Sequence, residues 1–379
     1  MRIMPTPTEA SSTGLPQPAG RTARPLPPIE GRKPMAAGHV ILVVLLALII
    51  GTFLNAPGLY KTARNQRPGW QRNVAVVTMT PVKWISVHLG ISLPREFLQE
   101  ATGQAGADKI NTFVPAPAAD PSAGGLSPTT TTVKPVATPY NKMRVWVAGD
   151  SLAITPGQVF ESQVDNQVTD LRGVDGRVST GLARPDVFNW FAHIKSETAR
   201  LNPQVVVLTF GANDDQSLVG GPGGKTVGPF GSEAWKTEYR RRVGGLMDQV
   251  TAEGRRVVWT GVPVVRNDER AARYAEMNAI YKDEAAKRPD QVYFLDTWPL
   301  LTDASGAYAD DLVINGAPLR VRAPDGIHFT RLGGQIIADA QLRMINGFWD
   351  LVSGRNATTT VAPPTAPATT AVTPSSKPK

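Results

Sequence analysis

The chain has 379 residues, 40 Lys and Arg against 32 Asp and Glu, a formal net charge of +8 and no cysteine. That length holds one sizeable domain with appendages, and the missing thiols exclude disulfides, thiolate metal sites and a cysteine nucleophile. His39, His88, His193 and His328 are too scattered for a zinc site, and the basic residues are spread along the chain instead of forming one stripe, so no nucleic acid is expected as a partner.

Residues 1–35 are rich in Pro, Thr, Ser and Arg and lack apolar periodicity. Such a segment buries too little surface to offset its ordering entropy and is expected to be a disordered N-terminus. Residues 36–56 contain "VILVVLLALIIGTFL", close to the ~20 apolar residues that cross a hydrocarbon core. The leader before it is long for a cleaved signal peptide, and Pro57 makes a poor cleavage junction, so an uncleaved transmembrane anchor is expected. Arg21, Arg24, Arg32 and Lys33 precede it, which by the positive-inside rule keeps the N-terminus cytoplasmic and the rest outside; Lys61, Arg64 and Arg67 on the far side dilute that bias.

Residues 57–103 read as a juxtamembrane helical segment. Trp70, Val74, Val77, Trp84 and Val87, with basic residues between them, fit either an amphipathic helix at a membrane surface or helices packed on each other or on the main domain. The second reading is preferred, and Pro81 is expected to break or kink the helix. Residues 104–141 form a Pro/Thr/Ala-rich linker able to hold a domain away from a membrane, and 354–379 are a Thr/Pro-rich tail of the same kind.

Between these arms, residues 142–353 alternate apolar runs with helical patterns. Strands are expected at Arg144–Ala148, Gln204–Phe210, Arg256–Gly261 and Gln291–Leu295. Helices are expected at Asp186–Arg200, Ser232–Glu253, Glu269–Lys287 and Arg331–Val352. The alternation implies an α/β fold, a three-layer α/β/α sandwich with a mainly parallel central sheet, whose chemistry lies at the carboxyl ends of the strands.

Three polar clusters fall at such places: Gly149-Asp150-Ser151-Leu152, Gly211-Ala212-Asn213-Asp214 and Asp325-Gly326-Ile327-His328. Acyl transfer uses these residue types. A serine hydroxyl must lose its proton to a base, which His328 can be, and Asp325, three residues earlier, can hold the imidazole tautomer. A tetrahedral oxyanion needs fixed donors: the backbone N–H of Ser151, the amide of Asn213 and the N–H of Gly181 in "VSTGLARPD" are candidates. Plainer readings stand beside these. Ser151 can be a helix cap, Asn213 and Asp214 turn residues, His328 a structural histidine and Gly181 a turn glycine. Asp150 reads as a structural hydrogen-bonder, Arg184 as half of a surface salt bridge, and His193 as packed or surface.

Taken together, "GDSL" with Ser151, "STGLARPD" with Gly181, "GAND" with Asn213 and "DGIH" with Asp325 and His328 resemble the four blocks of the SGNH hydrolases, or GDSL esterases, in family order. The resemblance covers residues 143–352, and the anchor and linker look like a membrane-tethered bacterial branch. The α/β-hydrolase elbow Gly-x-Ser-x-Gly is absent, since residue 153 is Ala. The resemblance implies an SGNH/flavodoxin-like sheet and an acyl-serine intermediate formed by Ser151, His328 and Asp325. It implies an oxyanion hole of Ser151, Gly181 and Asn213, and no metal or organic cofactor. The implied partners are an acylated carbohydrate or other ester, the membrane and a membrane acyltransferase. An envelope esterase is the first expectation. An O-acetyltransferase, or a tethered binding module without activity, is the alternative.

Overall fold

A computed structural model describes residues 37–66, 69–102, 108, 110–115 and 134–356. The expectations for residues 1–35, for most of 104–141 and for 357–379 lie outside the described residues. The chain divides into two units, 1–52 and 53–379.

Short apolar runs build the central sheet. Strands β1 (Met143–Gly149), β2 (Thr169–Gly176), β3 (Val205–Thr209), β4 (Arg256–Thr260) and β5 (Val292–Leu295) pair in the order β2-β1-β3-β4-β5, every pair parallel. Alternate residues point to opposite faces of a strand, and the burial follows that rule. Trp146, Ala148, Val206, Leu208 and Trp259 belong to one apolar cluster, and Val145, Val147, Val205, Val207 and Val258 to the other. The first cluster is completed by helices α6 (Trp190–Leu201), α7 (Glu233–Thr251) and α8 (Asp268–Ala286), the second by α5 (Ile154–Gln163) and α9 (Arg331–Phe348). The result is the expected sandwich. The register aligns Gly149 with Thr209 and Gly176, and Thr209 with Thr260, so the carboxyl ends of the strands form one edge.

Some elements differ from expectation. The edge strand β2, TDLRGVDG, is polar and irregular, with a register shift opposite Val145 and Val147. Helix α5 carries Pro156 and Gly157 near its start, both poor helix formers. Helix α6 begins at Trp190, four residues later than expected, because the Asn189 side chain accepts the Ala192 N–H at 3.0 Å and caps it there. An antiparallel hairpin, β6 (Asp311–Ile314) and β7 (Ala317–Arg320), turns at Asn315-Gly316 with φ of +53° and +82°.

Upstream of the sandwich lie α1 (Ala37–Leu54), α2 (Ala56–Asn65), α3 (Trp70–His88) and α4 (Leu93–Ala101). Helix α3 runs on through Pro81, so of the expected break or kink the break is absent. Its Ala75, Val76, Met79, Val82 and Ile85 are partly covered, and α3 packs on α2; that packing offsets the one hydrogen bond that proline cannot make.

The described ends of the expected linker do not stand off from the domain. Asn189 Nδ2 donates to the carbonyls of Asn111 (2.9 Å) and Phe113 (2.8 Å), and Arg241 Nη1 to that of Pro115 (2.9 Å). Arg184 makes the strongest tie. It is 4% exposed, pairs bidentately with Asp186 (2.9 Å twice), and donates to the carbonyls of Arg64 and Gln66 at the end of α2. The expected surface ion pair is therefore a buried latch. A guanidinium meets the carbonyl end of a helix there, where positive charge is favoured.

Candidate active site

Strand β1 ends at Gly149, where the neighbouring strand leaves no room for a side chain. A Cβ there would sit 2.0 Å from the Thr209 carbonyl oxygen, and φ is +154°. Asp150 follows, fully buried. Its Oδ1 accepts the Leu152 N–H at 2.8 Å, and its Oδ2 accepts the N–H groups of Gly211 and Ala212, both at 2.8 Å. Asp150, not Ser151, therefore caps the short helical turn Ser151–Ala153 that leads into α5, and it also fastens the Ser loop to the Asn loop. Burial pushes its carboxyl up to about 7, against the pull of those three N–H donors.

The Ser151 hydroxyl is left for another partner. His328 Nε2 lies 2.8 Å from Ser151 Oγ, and His328 Nδ1 lies 2.6 Å from Asp325 Oδ2. Asp325 Oδ1 accepts the backbone N–H groups of Ile327 (2.9 Å) and His328 (3.0 Å), closing the turn that makes a three-residue spacing work. With the carboxylate accepting from Nδ1–H, the hydrogen-bond network assigns the lone pair of Nε2 to the serine. Partial burial raises the Asp325 carboxyl, but the imidazole and the two backbone donors outweigh it and carry it down to about 2. Below this turn, fully buried Arg322 donates to the carbonyls of Val264 and Ile327 and lies over the rings of Tyr308 and Phe329. Burial lowers its guanidinium to about 10. The imidazole and the Asp325 carboxylate are 39% and 48% exposed, so the pair faces open solvent. A cavity of about 550 Å³ lined by Arg266, Asn267, Arg270, Asp325, Gly326 and Ile327 adjoins it. A larger one of about 1040 Å³ lies away from this chemistry, beside Tyr60, Lys83 and Glu96.

The Gly and Asn loops are also joined. Asn213 Nδ2 donates to the Thr180 carbonyl at 2.9 Å, beside Gly181. Buried Asp214 accepts from the N–H groups of Leu182 (3.1 Å) and Ala183 (2.8 Å) and from the Tyr239 hydroxyl (2.7 Å). Burial raises the Asp214 carboxyl, and the same donors oppose the rise. Gly181 is required by that approach, since a Cβ there would lie 2.2 Å from Asp214 Oδ1. Arg242, also buried, donates to the carbonyls of Leu182 and Val219 and pairs with Glu238 at 2.8 Å. Among the described residues, the backbone N–H groups of Ser151 and Gly181 have no acceptor. Two carboxylates, Asp150 and Asp214, thus brace three loops at one sheet edge.

Sequence reasoning read Asp150 as a hydrogen-bonder and His193 as packed or surface; Asp150 accepts three N–H groups, and His193 is a packed residue, its Nε2 2.5 Å from Asp175 Oδ2 and its ring against Trp190 and Phe188. The same reasoning read Asp214 as a turn residue and not as a brace, and it missed Arg242 and Arg322. The one available signal was a charged residue inside an otherwise apolar or motif-bearing stretch. Among the described residues, no three of His, Asp and Glu gather as metal ligands.

A family model described as "Protein of unknown function (DUF459)" matches residues 144–344, from β1 into α9. The chain belongs to the DUF459 family. All four sequence blocks fall inside the matched stretch. No curated protein matches the chain. Solved structures with a similar chain course include an acetyl xylan esterase from Geobacillus stearothermophilus, 18% identical, covering 58% of this chain and 100% of that one, with a TM-score of 0.39. An alpha/beta hydrolase from the metagenome of Lake Arreo is 15% identical, with 54% and 95% covered and a TM-score of 0.38. The catalytic domain of the Streptococcus pneumoniae peptidoglycan O-acetyltransferase is 13% identical, with 54% and 94% covered and a TM-score of 0.34. Likeness at this level carries no argument about the chemistry of the DUF459 site, which rests on the distances above.

Two carboxyls of the site, Asp325 and Asp150, give a pH signature. In a carbon-13 titration, Asp325 shows its transition near pH 2 and Asp150 near pH 7. The signs for stability are opposite. Asp325, depressed from 3.8, contributes stability above that value, and the contribution is lost as pH falls toward 2. Asp150, raised from 3.8, contributes most below that value, and its contribution declines as pH rises toward 7. An Asp325 transition near 4 would mean that the imidazole contact is absent in solution.

Proposed function

We propose that this chain is a membrane-anchored, extracytoplasmic serine hydrolase of the SGNH type, acting on O-acyl, chiefly acetyl, esters of cell-envelope carbohydrate. The observation that carries the reading is the chain of contacts from Ser151 Oγ through the imidazole of His328 to the Asp325 carboxylate, at 2.8 Å and 2.6 Å. His328 Nε2 takes the hydroxyl proton as Ser151 Oγ bonds to the ester carbonyl carbon. The oxyanion is received by the N–H groups of Ser151 and Gly181 and by the Asn213 amide. The imidazolium then protonates the leaving alcohol, and the C–O bond breaks to leave acyl-Ser151. Water, deprotonated by His328, releases the acid and restores the hydroxyl.

Removing one oxyanion donor costs about 10²–10³-fold in kcat by mutational precedent. Asn213→Ala is therefore expected to lose that much kcat on an aryl acetate with little change in KM. An unchanged kcat would remove Asn213 from the hole.

The exposure of His328 and Asp325 supports a substrate presented on a polymer, and it equally admits a sugar hydroxyl as acyl acceptor in place of water. Acetate release measured against acetyl transfer to added glycan, with the purified chain, separates esterase from O-acetyltransferase. The anchor reading is supported by α1, 18 residues with a mean hydropathy of 2.6 and no charged residue, about 27 Å long at 1.5 Å per residue. The basic residues before it support a cytoplasmic N-terminus. Residues 57–103 then form a juxtamembrane helical segment, and 142–353 the hydrolase domain.

A further inference from the structure

Helix α3 has two unlike faces. Its covered face ends in Ser86, fully buried, whose hydroxyl donates to the Phe53 carbonyl at 2.6 Å. On the opposite face Trp70, Val74, Val77, Pro81, Trp84 and His88 recur at spacings of four, three, four, three and four, which places them within one narrow stripe of a 3.6-residue helix. Every one of them is exposed, Trp70 at 74%, Val77 at 72% and Trp84 at 61%. Isolated exposed apolar residues need no explanation, but a stripe four turns long does.

Two observations identify the occupant. Residues 56–88 carry five Lys and Arg and no Asp or Glu, so the segment complements an anionic surface. It also follows α1 with one residue between the helices, and Trp70 is only 16 positions beyond Leu54. So short a connection limits how far along the chain the stripe can lie from the apolar segment. Tryptophans near both ends of the stripe suit headgroup depth, where an apolar ring body and a polar N–H are both accommodated.

We propose that α3 lies along an anionic lipid surface, with the stripe from Trp70 to His88 immersed at headgroup depth as a second membrane contact beside α1. The proposal rests on the reading of α1 as a span. Because Arg184 latches the end of α2 to the loop that follows Gly181, the same contact fixes the height of the active site above the bilayer.

The chain has no cysteine, so single labels report cleanly. The full chain carrying Val77→Cys with an environment-sensitive fluorophore is reconstituted into phosphatidylglycerol/phosphatidylcholine vesicles, beside Val178→Cys on the exposed rim of the hydrolase domain. The expected result is blue-shifted emission at 77, quenched several-fold by brominated lipid and less so when phosphatidylglycerol is omitted, with no quenching at 178. Carbonate extraction of the same vesicles tests α1 separately. Retention of the chain with a solvent-like probe at 77 overturns the proposal and leaves the anchor standing. Extraction of the chain, with the probe at 77 still quenched beforehand, supports α3 docking and overturns the anchor. A probe at 77 that is shielded but insensitive to brominated lipid overturns the proposal in favour of contact between copies.

Discussion

Ser151→Ala is expected to lower kcat/KM for a small aryl acetate by about 10⁴-fold or more, and His328→Ala by a similar factor, because the two act as one unit. The double variant should then be hardly worse than either single one. The geometry is the reason: the hydroxyl has one partner, the imidazole at 2.8 Å, and its neighbour Asp150 already serves as the cap of the turn. Ser151→Ala removes one exposed-side oxygen and leaves every brace of the loop in place, so stability should be nearly unchanged. Steady-state kinetics with denaturant melts of the same preparations check both halves. Additive losses in the double variant would mean that the residues do not work together.

Asp214→Asn is the second large effect, and it should strike stability and turnover together. The carboxylate accepts from two backbone N–H groups and a tyrosine hydroxyl in a fully buried place. An amide offers one oxygen and presents N–H groups where donors already point. Leaving buried donors unmatched costs about 1–3 kcal/mol each, so a loss of a few kcal/mol is expected in urea unfolding. The loop that Asp214 holds contains Gly181, so its displacement should also cost kcat about 10²-fold, with KM changed less. Lost stability with full kcat would show that the brace has no part in placing the Gly181 N–H.

The sheet was readable wherever strands are covered on both faces. The expected runs at 144–148, 204–210, 256–261 and 291–295 lie within a residue or two of β1, β3, β4 and β5, because burial on both sides demands continuous apolar residues. Edge strand β2 escapes that demand and reads as polar loop. Helix α5 hides behind Pro156 and Gly157. The β6–β7 hairpin carries an Asn-Gly turn, a local signal that lies in a stretch without an alternating apolar pattern.

The candidate site was legible for a different reason. The proposed nucleophile, base and donors sit in short contiguous blocks, and chemistry constrains residue type there more tightly than packing does. What supports the blocks was not legible. Asp214 and Arg242 converge on Leu182 from 32 and 60 positions away, and Arg184 reaches back 118 positions to Gln66. Partners that distant are brought together by the fold alone. The same limit explains why residues 104–141 read as a free spacer, although the described 110–115 lie along α6 and α7.

The most direct test of the account is covalent labelling of the native chain with a serine-reactive fluorophosphonate, followed by intact mass and peptide mapping. The prediction is one adduct per chain, on the peptide containing Ser151, lost in Ser151→Ala and strongly slowed in His328→Ala. Labelling at another serine, or labelling of Ser151 at the same rate without His328, would contradict it.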